Sequence, residues 1–457
     1  MSANPVSPTV GRFGSGHSVR RIEDPTLVSG TGRYVDDVSL PGQLHLTMLR
    51  SPYPHAKIVS IDTAAARALP GVVAVYTGAD LEAGGVKVLP TPGPFPRPDG
   101  KPSSVPPLHA IAVDTVRYVG EAVAAVVADS REAARAARDA IEVNYEDLPA
   151  VVTLGDAIAD GAPLVWPAAG DNWAARAKHG DAAAAQAAFE RAAHVVALDL
   201  VNQRVAAVAM EPRGALAWPD AETGKLTIRL SSQMPSGARD TIADAVGVAK
   251  DAMRVVVGDV GGGFGMKTGA YQDDVVVAWA AKTLNRPVKW TAERGEEFLV
   301  GRAGRDAESR AELALDADGR VLALRVQTNA NVGAYATTTG VVIQLLIGPW
   351  VSTSIYDIPV IDFDLRAVMT HTAPVGAYRG AGRPEAIYII ERLMDAAARR
   401  MGLDPAELRL RNMIRPEQMP YKNPMGQTYD TGNFPSIAKQ GLALADWDGF
   451  EARAAES

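Results

Sequence analysis

The sequence predicts an α+β fold, because strand-like apolar runs and amphipathic helical stretches occur together along the chain. Apolar runs typical of strands occupy residues 45–50, 72–76 and 122–128. Ser130 then offers an N-cap for a helix over residues 131–140, whose alanines form an apolar stripe. Between residues 312 and 326, two further strand-like runs flank an Asp-Gly pair, which is typical of a hairpin turn.

The composition is that of a soluble globular protein with two or more domains. Of 457 residues, 47% are hydrophobic and 22% are charged, the net charge is −7, and no Lys/Arg-rich block stands out. Nucleic acid and anionic membranes are therefore poor candidates for partners. Residues 1–17 lack the apolar core of a signal peptide, and no run of apolar residues is long enough to span a bilayer. We therefore expect a cytoplasmic protein.

The chain contains no cysteine, which excludes several kinds of site. Disulfides, thiolate-bound metals, cysteine nucleophiles and iron–sulfur clusters held by this chain are all ruled out. The seven histidines include no His-x-x-x-His pair, so a zinc site built from histidine is poorly supported.

Proline and glycine indicate where the chain is irregular. Residues 1–20, rich in Pro, Ser and Gly, predict a flexible tail. The proline-rich stretch 89–98 cannot join the interior of a sheet, so we expect a surface loop, with a partner contact as the alternative. Residues 162–180 contain Pro and Gly without a clear period, which places an interdomain linker there. Beyond it, strand-like runs occupy residues 193–201, 226–230 and 253–257, and a helix is expected over residues 239–246.

The most informative stretch is Gly258–Gly265, in which four glycines fall within five residues. It follows an apolar run expected to be a buried strand, and it precedes a helix that starts behind Asp273 and Asp274. Glycines let the backbone approach a ligand closely, and free N–H groups at a helix N-terminus favour an anion. The alternative is a tight turn that only needs positive φ angles.

Two common phosphate-binding motifs fail at this stretch. A Walker loop starting at Gly261 meets Met266 where a glycine is required, although Lys267 and Thr268 then fit. The dinucleotide pattern Gly-x-Gly-x-x-Gly fails as well, because its last position falls on Met266 or on Thr268. An ordinary nucleoside triphosphatase or nicotinamide enzyme is therefore disfavoured.

A second glycine cluster, residues 374–383, contains Arg379 and precedes a helix expected over residues 384–401. Pro384 suits the first position of that helix, and Gly402 suits its end. Asp404 then offers an N-cap for the next helix. Two loops that each open a helix could hold one large anionic ligand from two sides. The alternative is that both are only helix entries.

Several longer stretches resemble a known family. The chain is similar to the molybdopterin-binding large subunit of the xanthine dehydrogenase / aldehyde oxidase family, nearest to its bacterial carbon-monoxide-dehydrogenase-like branch. The resemblance extends from residue 18 to about 430. The matching stretches are Ser18-Val-Arg-Arg-Ile-Glu-Asp-Pro25, Gly32-Arg-Tyr-Val-Asp-Asp37, Arg50-Ser-Pro-Tyr-Pro-His-Ala56, Tyr118-Val-Gly-Glu-Ala-Val-Ala124, Met210-Glu-Pro-Arg-Gly214, Ser231-Ser-Gln233, Gly258-Asp-Val-Gly-Gly-Gly-Phe-Gly265 and Ala377-Tyr-Arg-Gly380.

This resemblance implies a domain plan. After the tail of residues 1–20, an α/β-hammerhead domain would occupy residues 21–152, and residues 153–180 would link it to a first molybdopterin-binding domain over residues 181–425. Residues 426–457 would begin a second molybdopterin-binding domain that is largely absent.

The resemblance also implies the site residues. Gln233 would hydrogen-bond an oxygen on molybdenum, and the pterin would hold the metal without a direct ligand from the chain. Backbone N–H groups beside the metal would come from Gly262, Gly263, Phe264 and Gly265, with Arg379 and Gly380 lining the other side. An amide donor and backbone donors suit an anionic group, because they hold it without a competing side chain. The role of Glu211 is open, since an ion pair with Arg213 would make it merely structural.

The implied reaction is the hydroxylation of an electron-poor carbon with oxygen derived from water. Electrons leave through two 2Fe–2S clusters to FAD, and family members that lack those domains obtain them from separate subunits. Since this chain has no cysteine, we expect an iron–sulfur partner and an FAD partner. The resemblance also implies molybdopterin in its cytosine dinucleotide form.

Departures from the family narrow the substrate. The copper-containing carbon monoxide dehydrogenases carry cysteine where this chain has Gly380, so carbon monoxide oxidation is disfavoured. The purine-oxidising branch carries glutamate, an aromatic residue and arginine where this chain has Thr268, Ala381 and the apolar run 345–347, which disfavours xanthine. An apolar pocket suits an aldehyde or an aromatic N-heterocycle, and the sequence does not separate these two.

The sequence stops at Ser457, where the family enters its second molybdopterin-binding domain. In the family that domain carries the glutamate that acts as general base, and no residue of this chain takes that role by resemblance. We expect a second polypeptide to supply it as a split subunit. The alternative is a truncated, inactive fragment or a non-catalytic scaffold with exposed apolar surface.

Overall fold

A computed structural model describes residues 20–456, and all but Arg20 of the expected tail lies outside this range. The fold is of the predicted α+β class. Its strands in chain order are β1 Leu44–Arg50, β2 Ala56–Asp62, β3 Val72–Thr77, β4 Thr115–Val116, β5 Ala122–Ala128, β6 Glu142–Asp147, β7 Trp173–Gly180, β8 His194–Asn202, β9 Gly214–Asp220, β10 Lys225–Leu230, β11 Met253–Val256, β12 Val288–Thr291, β13 Ala307–Leu315, β14 Val321–Gly333, β15 Ile361–Met369, β16 Tyr421–Lys422 and β17 Thr428–Tyr429.

The helices surround and separate the sheets. They are α1 Asp24–Val28, α2 Ala64–Ala68, α3 Gly78–Ala83, α4 Arg131–Asp139, α5 Leu154–Ile158, α6 Ala182–Glu190, α7 Pro235–Ala245, α8 Gln272–Leu284, α9 Arg294–Val300, α10 Thr338–Val342, α11 Arg383–Met401, α12 Pro405–Asn412, α13 Phe434–Leu444 and α14 Phe450–Glu456. Across residues 20–456, no helix combines the length and apolarity needed to cross a membrane.

The largest sheet joins the two halves of the chain. Its strand order is β11-β10-β9-β12-β1-β5-β3, so strands from the hammerhead segment continue directly into strands from beyond residue 213. The junction is parallel pairing of β1 with β12, in which Leu44 lies opposite Val288. Local sequence patterns gave no indication of this pairing, because it depends on backbone hydrogen bonds between distant segments.

The second sheet has the order β7-β15-β14-β13-β8. Strands β13 and β14 form the predicted antiparallel hairpin, and Gly319 in its turn has a φ of +81°. Part of the segment expected to be a linker forms β7, which pairs with β15 along one edge of this sheet. Alternating alanines, of which Ala175 and Ala177 are buried, let β7 lie close to the core despite the flanking Pro and Gly.

Two helix starts confirm the predicted caps. Ser130 accepts a hydrogen bond from the backbone N–H of Ala133 at 3.1 Å, and Asp404 accepts one from Ala406 at 2.7 Å. By contrast, strand β11 before the glycine stretch is an edge strand in which only Met253 is fully buried. The apolar run there was expected to be buried, but β11 pairs with β10 alone, which leaves its other edge without a strand.

The proline-rich stretch is fastened to the second sheet. The backbone N–H of Arg176 donates to the carbonyl oxygen of Pro96 at 2.7 Å, and the Thr338 hydroxyl donates to that of Pro92 at 2.8 Å. This surface loop thus runs from the hammerhead segment to the start of α10 and is held there by hydrogen bonds within the chain.

Candidate functional site

The two glycine clusters fold into loops that lie against each other. We call residues 258–271 the first glycine loop and residues 374–382 the second glycine loop. The backbone N–H of Arg379 donates a hydrogen bond to the carbonyl oxygen of Phe264 at 2.8 Å. A Cβ atom on Gly265 would lie 2.8 Å from the carbonyl oxygen of Ala377, closer than real Cβ atoms come. Only glycine permits this approach of the two loops.

The first glycine loop presents a run of backbone donors. Gly262, Phe264 and Gly265 have φ angles of +97°, +51° and +94°, which curl the backbone between the strand and helix α8. No acceptor among residues 20–456 receives the backbone N–H of Gly262, Gly263 or Phe264. Successive N–H groups in such a curled backbone form a concavity that suits an anion. The positive φ of Phe264, a non-glycine residue, is the kind of strain found at functional sites.

Gln233 is hydrogen-bonded to the first glycine loop through its side chain and its backbone. Its Oε1 accepts the backbone N–H of Gly265 at 2.8 Å, and its backbone N–H donates to the carbonyl oxygen of Lys267 at 2.9 Å. A Cβ atom on Gly263 would lie 2.5 Å from that Oε1, so glycine is required beside the amide. The side-chain nitrogen of Gln233, on an exposed residue, donates to no residue in the range 20–456 and is available to a ligand.

Arg379 adds a charged donor from the second glycine loop. Its side chain is exposed, and its guanidinium makes no ion pair or hydrogen bond within the described part of the chain. Arg305 fixes the loop backbone by donating to the carbonyl oxygens of Tyr378 at 2.9 Å and Arg379 at 2.8 Å. Gly380 follows with a φ of +89°, and a Cβ atom there would lie 2.6 Å from Cδ of Pro384.

A buried ion pair supports the first glycine loop from behind. Glu211 accepts from the backbone N–H of Gly261 at 2.8 Å, from the Ser231 hydroxyl at 2.5 Å and from Lys267 Nζ at 3.0 Å. Lys267 has a side chain that is 0% exposed, and burial lowers its pKa while Glu211 opposes that effect. Glu211 therefore pairs with the lysine that follows the glycines and holds the loop in place.

Arg213, the partner considered for Glu211, lies in a different buried cluster. Its guanidinium donates to Asp273 at 2.9 Å and to Glu297 at 2.8 Å, and Arg50 donates to the other oxygen of Asp273 at 2.6 Å. Burial alone would raise the pKa of Asp273, but Arg50 and Arg213 outweigh it and hold that pKa below its usual value. This network anchors the start of α8, and sequence reasoning missed it because its members come from four separate segments.

The second acid at the start of α8 has another role. Asp274 accepts the backbone N–H of Tyr271 at 2.9 Å and so closes the first turn of the helix. Burial raises the pKa of Asp274 to about 7. Of the two acids predicted at the start of this helix, Asp273 thus forms ion pairs and Asp274 caps the helix backbone.

The donor set fits a large anionic cofactor. Around the junction of the loops lie three unpaired N–H groups, an amide nitrogen and a guanidinium, and the nearby carboxylates of Glu211 and Glu385 are tied to Lys267 and Arg305. Across residues 20–456 no group of three His, Asp or Glu side chains could hold a metal ion.

A cavity borders the second glycine loop at Gly382 and continues under helix α11. It has a volume of about 50 Å³ and is lined mainly by apolar side chains, with Glu385 at one end. A space of this size takes a few water molecules.

The chain matches two domain families of known proteins. Residues 165–413 match the molybdopterin cofactor-binding domain, and residues 29–149 match the a/b hammerhead domain of aldehyde oxidase and xanthine dehydrogenase.

Individual relatives resemble the chain over nearly its whole length. The nicotine 6-hydroxylase large subunit of Paenarthrobacter nicotinovorans is 35% identical over 99% of this chain and 54% of that protein. The carbon monoxide dehydrogenase large chain of Hydrogenophaga pseudoflava is 35% identical over 95% of this chain and 54% of that protein. The crystal structure of quinoline 2-oxidoreductase from Pseudomonas putida 86 superposes with a TM-score of 0.89 at 36% identity, covering 96% of this chain and 55% of that one. The chain thus spans about half the length of these relatives.

Proposed function

The chain belongs to the aldehyde oxidase and xanthine dehydrogenase family, and we propose that it is the cofactor-binding component of a molybdenum hydroxylase. The observation that carries this proposal is the set of unpaired donors at the hydrogen-bonded junction of the two glycine loops. The available hydrogen-bond donors are the N–H groups of residues 262–264, the amide nitrogen of Gln233 and the guanidinium of Arg379. Molybdopterin carries a phosphate and other acceptors that such donors can bind. The backbone donors of this set are fixed before binding, and donors fixed in this way stabilise negative charge with little reorganisation.

The bound molybdenum cofactor supplies the two-electron oxidation by which water-derived oxygen is added to an electron-poor carbon. Gln233 donates from its amide nitrogen while its oxygen stays on Gly265, which fixes the direction of that donor. The N–H groups of Gly262, Gly263 and Phe264 hold negative charge without adding a side chain. Arg379 offers a forked pair of donors from the opposite side.

The cofactor form and the partners belong to the same proposal. We assign the cytosine dinucleotide form of molybdopterin, with 2Fe–2S clusters and FAD in partner subunits. The absence of cysteine supports the iron–sulfur partner, because this sequence has no thiolate with which to hold such a cluster. Relatives that are named as large subunits or large chains also support it.

The substrate we propose is an aromatic N-heterocycle, with an aldehyde as the second choice. Nicotine and quinoline, after which two of the relatives are named, both contain such a ring. Carbon monoxide is disfavoured, because Gly380 stands where the copper enzymes carry cysteine. The φ of +89° at Gly380 suits glycine, and a cysteine in this backbone would also meet the ring of Pro384.

A second candidate is a non-catalytic scaffold of the same family. The chain covers 54% of the nicotine 6-hydroxylase large subunit. In the family the general-base glutamate lies in the half that is not matched, so turnover also needs that half, from a continuation of this polypeptide or from a second chain.

Purification of the chain with its natural partners separates the two candidates. A hydroxylase component retains molybdenum, iron and flavin and reduces a dye with a heterocycle or an aldehyde. The variant Arg379→Gln should lose most of the molybdenum. The control Arg383→Gln should retain it, because the exposed side chain of Arg383 bonds, within residues 20–456, only to the carbonyl oxygen of Ala381. A preparation that recovers no molybdenum in any complex favours the scaffold.

A further inference from the structure

A cleft on the hammerhead side of the molecule gathers basic side chains from separate segments. It has a volume of about 320 Å³ and lies between helix α4, strands β1 and β12, and the start of α9. Its lining includes five basic side chains, Arg50, Arg131, Arg135, Arg138 and Lys289, against two acidic ones, Glu293 and Glu296. Three further carboxylates beside this lining, those of Asp36, Asp139 and Asp273, also pair with these basic side chains. The sequence shows no basic block because the five residues are scattered along it.

We propose that this cleft binds a small molecule bearing a diphosphate, such as a nucleoside diphosphate. Three of the arginines, Arg131, Arg135 and Arg138, recur at helical spacing and so lie on one face of α4. At a rise of 1.5 Å per residue, their Cα atoms span about 10 Å along the helix axis. Two linked phosphates carry more acceptor oxygens over a longer span than one carboxylate or one phosphate, so they suit a row of three arginines better. Arginine also matches phosphate oxygens with paired, parallel hydrogen bonds.

The arginines along α4 are paired with exposed carboxylates that a ligand could replace. Arg131 pairs with Asp36, Arg135 with Glu293 at 2.9 Å and Arg138 with Asp139 at 2.8 Å. The three carboxylates are 44%, 52% and 65% exposed, and ion pairs with such exposed partners contribute little to stability. A phosphate can therefore replace them without disturbing the core.

The floor of the cleft is fixed, unlike its rim. Lys289 is 2% exposed, and its Nζ donates to the backbone carbonyl oxygen of Asp36 at 2.7 Å. Arg50, 12% exposed, is held by Asp273 and Glu296. A ligand would thus meet basic side chains whose positions are already set by their ion pairs. The pKa of His45, which lines the cleft, is lowered first by burial and then by Arg131 and Lys289, while Glu132 and Asp36 oppose the effect.

The size and shape of the cleft favour a small molecule over a protein surface. Its volume lies at the lower end of the range typical of ligand pockets, which is about 300–1,000 Å³. A second lobe of about 270 Å³ shares Arg131, Arg135, Thr291 and Glu293 with the first. The first lobe suits the two phosphates, and the second gives room for the organic part of the ligand.

Calorimetric titration of the purified full chain with inorganic pyrophosphate and with ADP tests this assignment. At constant ionic strength we expect saturable binding of both probes. The double variant Arg135→Gln/Arg138→Gln should weaken it at least tenfold, which corresponds to the loss of about one charge-assisted hydrogen bond or more. Arg310→Gln is the matched control, because Arg310 is also an exposed arginine paired with an exposed carboxylate, Asp199, but lies on β13.

Three results would overturn the assignment. They are the absence of saturable binding by the natural sequence, unchanged binding in the double variant, and an equal response to sodium sulfate at the same ionic strength, which would indicate screening alone. If the double variant unfolds early in a thermal scan, Arg135→Lys replaces it, since lysine keeps the charge but loses the paired geometry and should still weaken binding. None of these measurements depends on molybdenum, so their failure leaves the proposed hydroxylase function untouched.

Discussion

The backbone N–H of Arg379 lies 2.8 Å from the carbonyl oxygen of Phe264 and donates a hydrogen bond to it. This bond joins the two glycine loops, which are far apart in the chain. The unpaired N–H groups belong to one loop and the free guanidinium to the other, so the spacing between them depends on this contact. A change that separates the loops should therefore weaken cofactor binding from both sides.

Gly265→Ala should separate the two loops. Its φ of +94° disfavours any side chain, and the new methyl group would lie 2.8 Å from the carbonyl oxygen of Ala377. We expect a loss of more than about 2 kcal/mol in the free energy of unfolding, since the left-handed backbone alone costs about 1–2 kcal/mol. Urea denaturation measures the loss, and faster proteolysis at the loops would locate it.

Gly224→Ala is the matched control for that variant. Gly224 has a φ of +67°, but a Cβ atom there meets nothing within 4 Å. This variant should show the backbone cost alone and leave the loops intact. If the two variants lose the same stability, the close contact between the loops contributes nothing measurable.

Gln233→Glu should lower turnover while leaving the fold intact. The carboxylate keeps an oxygen for the N–H of Gly265, as in the 2.8 Å hydrogen bond of Gln233, but it removes the amide donor and adds negative charge beside an anionic ligand. In the complete enzyme we expect kcat to fall by roughly 10²–10³-fold, the usual effect of losing one preorganised donor. An unchanged thermal midpoint together with an unchanged kcat would remove Gln233 from the site.

Lys267→Met should destabilise the chain through the carboxylate that it leaves behind. Lys267 is fully buried and lies 3.0 Å from Glu211, which is 11% exposed. Removing one partner of a buried ion pair costs about 3–5 kcal/mol, because the other charge stays without compensation. The double variant Lys267→Met/Glu211→Gln should recover part of this loss in urea denaturation. A single variant as stable as the natural sequence would contradict the supporting role of the pair.

Acid should weaken the fold through His371. This residue is 1% exposed and stacks on His55 at a ring distance of 4.0 Å, and its Nδ1 accepts the backbone N–H of Val151 at 3.0 Å. Burial first, and then the neighbouring His55, lower the pKa of His371 to about 3. In the unfolded chain histidine takes up a proton below a pH of about 6.5, whereas His371 in the native state stays neutral down to about 3.

The sign of the effect follows from proton uptake. Below a pH of about 6.5 the unfolded state binds more protons than the native state, so stability is complete above that value and falls as the pH falls. His371 should contribute about 1.4 kcal/mol per pH unit to that slope, once the unfolded histidine is protonated. Denaturation at several pH values between 7 and 4 measures the slope, and His371→Asn should flatten it. Equal slopes for both chains would exclude His371 as the cause.

Much of the site was accessible from local patterns. The glycines that need positive φ, the helices that they open and the capping residues Ser130 and Asp404 were identified without a structure, because each depends on residues a few positions apart. Gln233 came from the resemblance alone, whereas Arg379 was also singled out by the second glycine cluster. In the structure, the Gln233 side chain and the backbone N–H of Arg379 each bond to the first glycine loop. The tight packing of the loops, by contrast, could not be inferred from either loop alone.

The sequence by itself determined the α+β class, the strands and helices that flank the glycine loops, and the family. The tertiary structure alone decided which buried charges meet: Glu211 with Lys267, and Arg213 with Asp273. It also decided that β1 joins β12 and that five scattered basic residues line one cleft. The physical reason is that a helix, a turn or a cap is set by neighbours within one or two turns of chain. Ion pairs and sheet edges depend on which distant segments the packing of the core brings into contact.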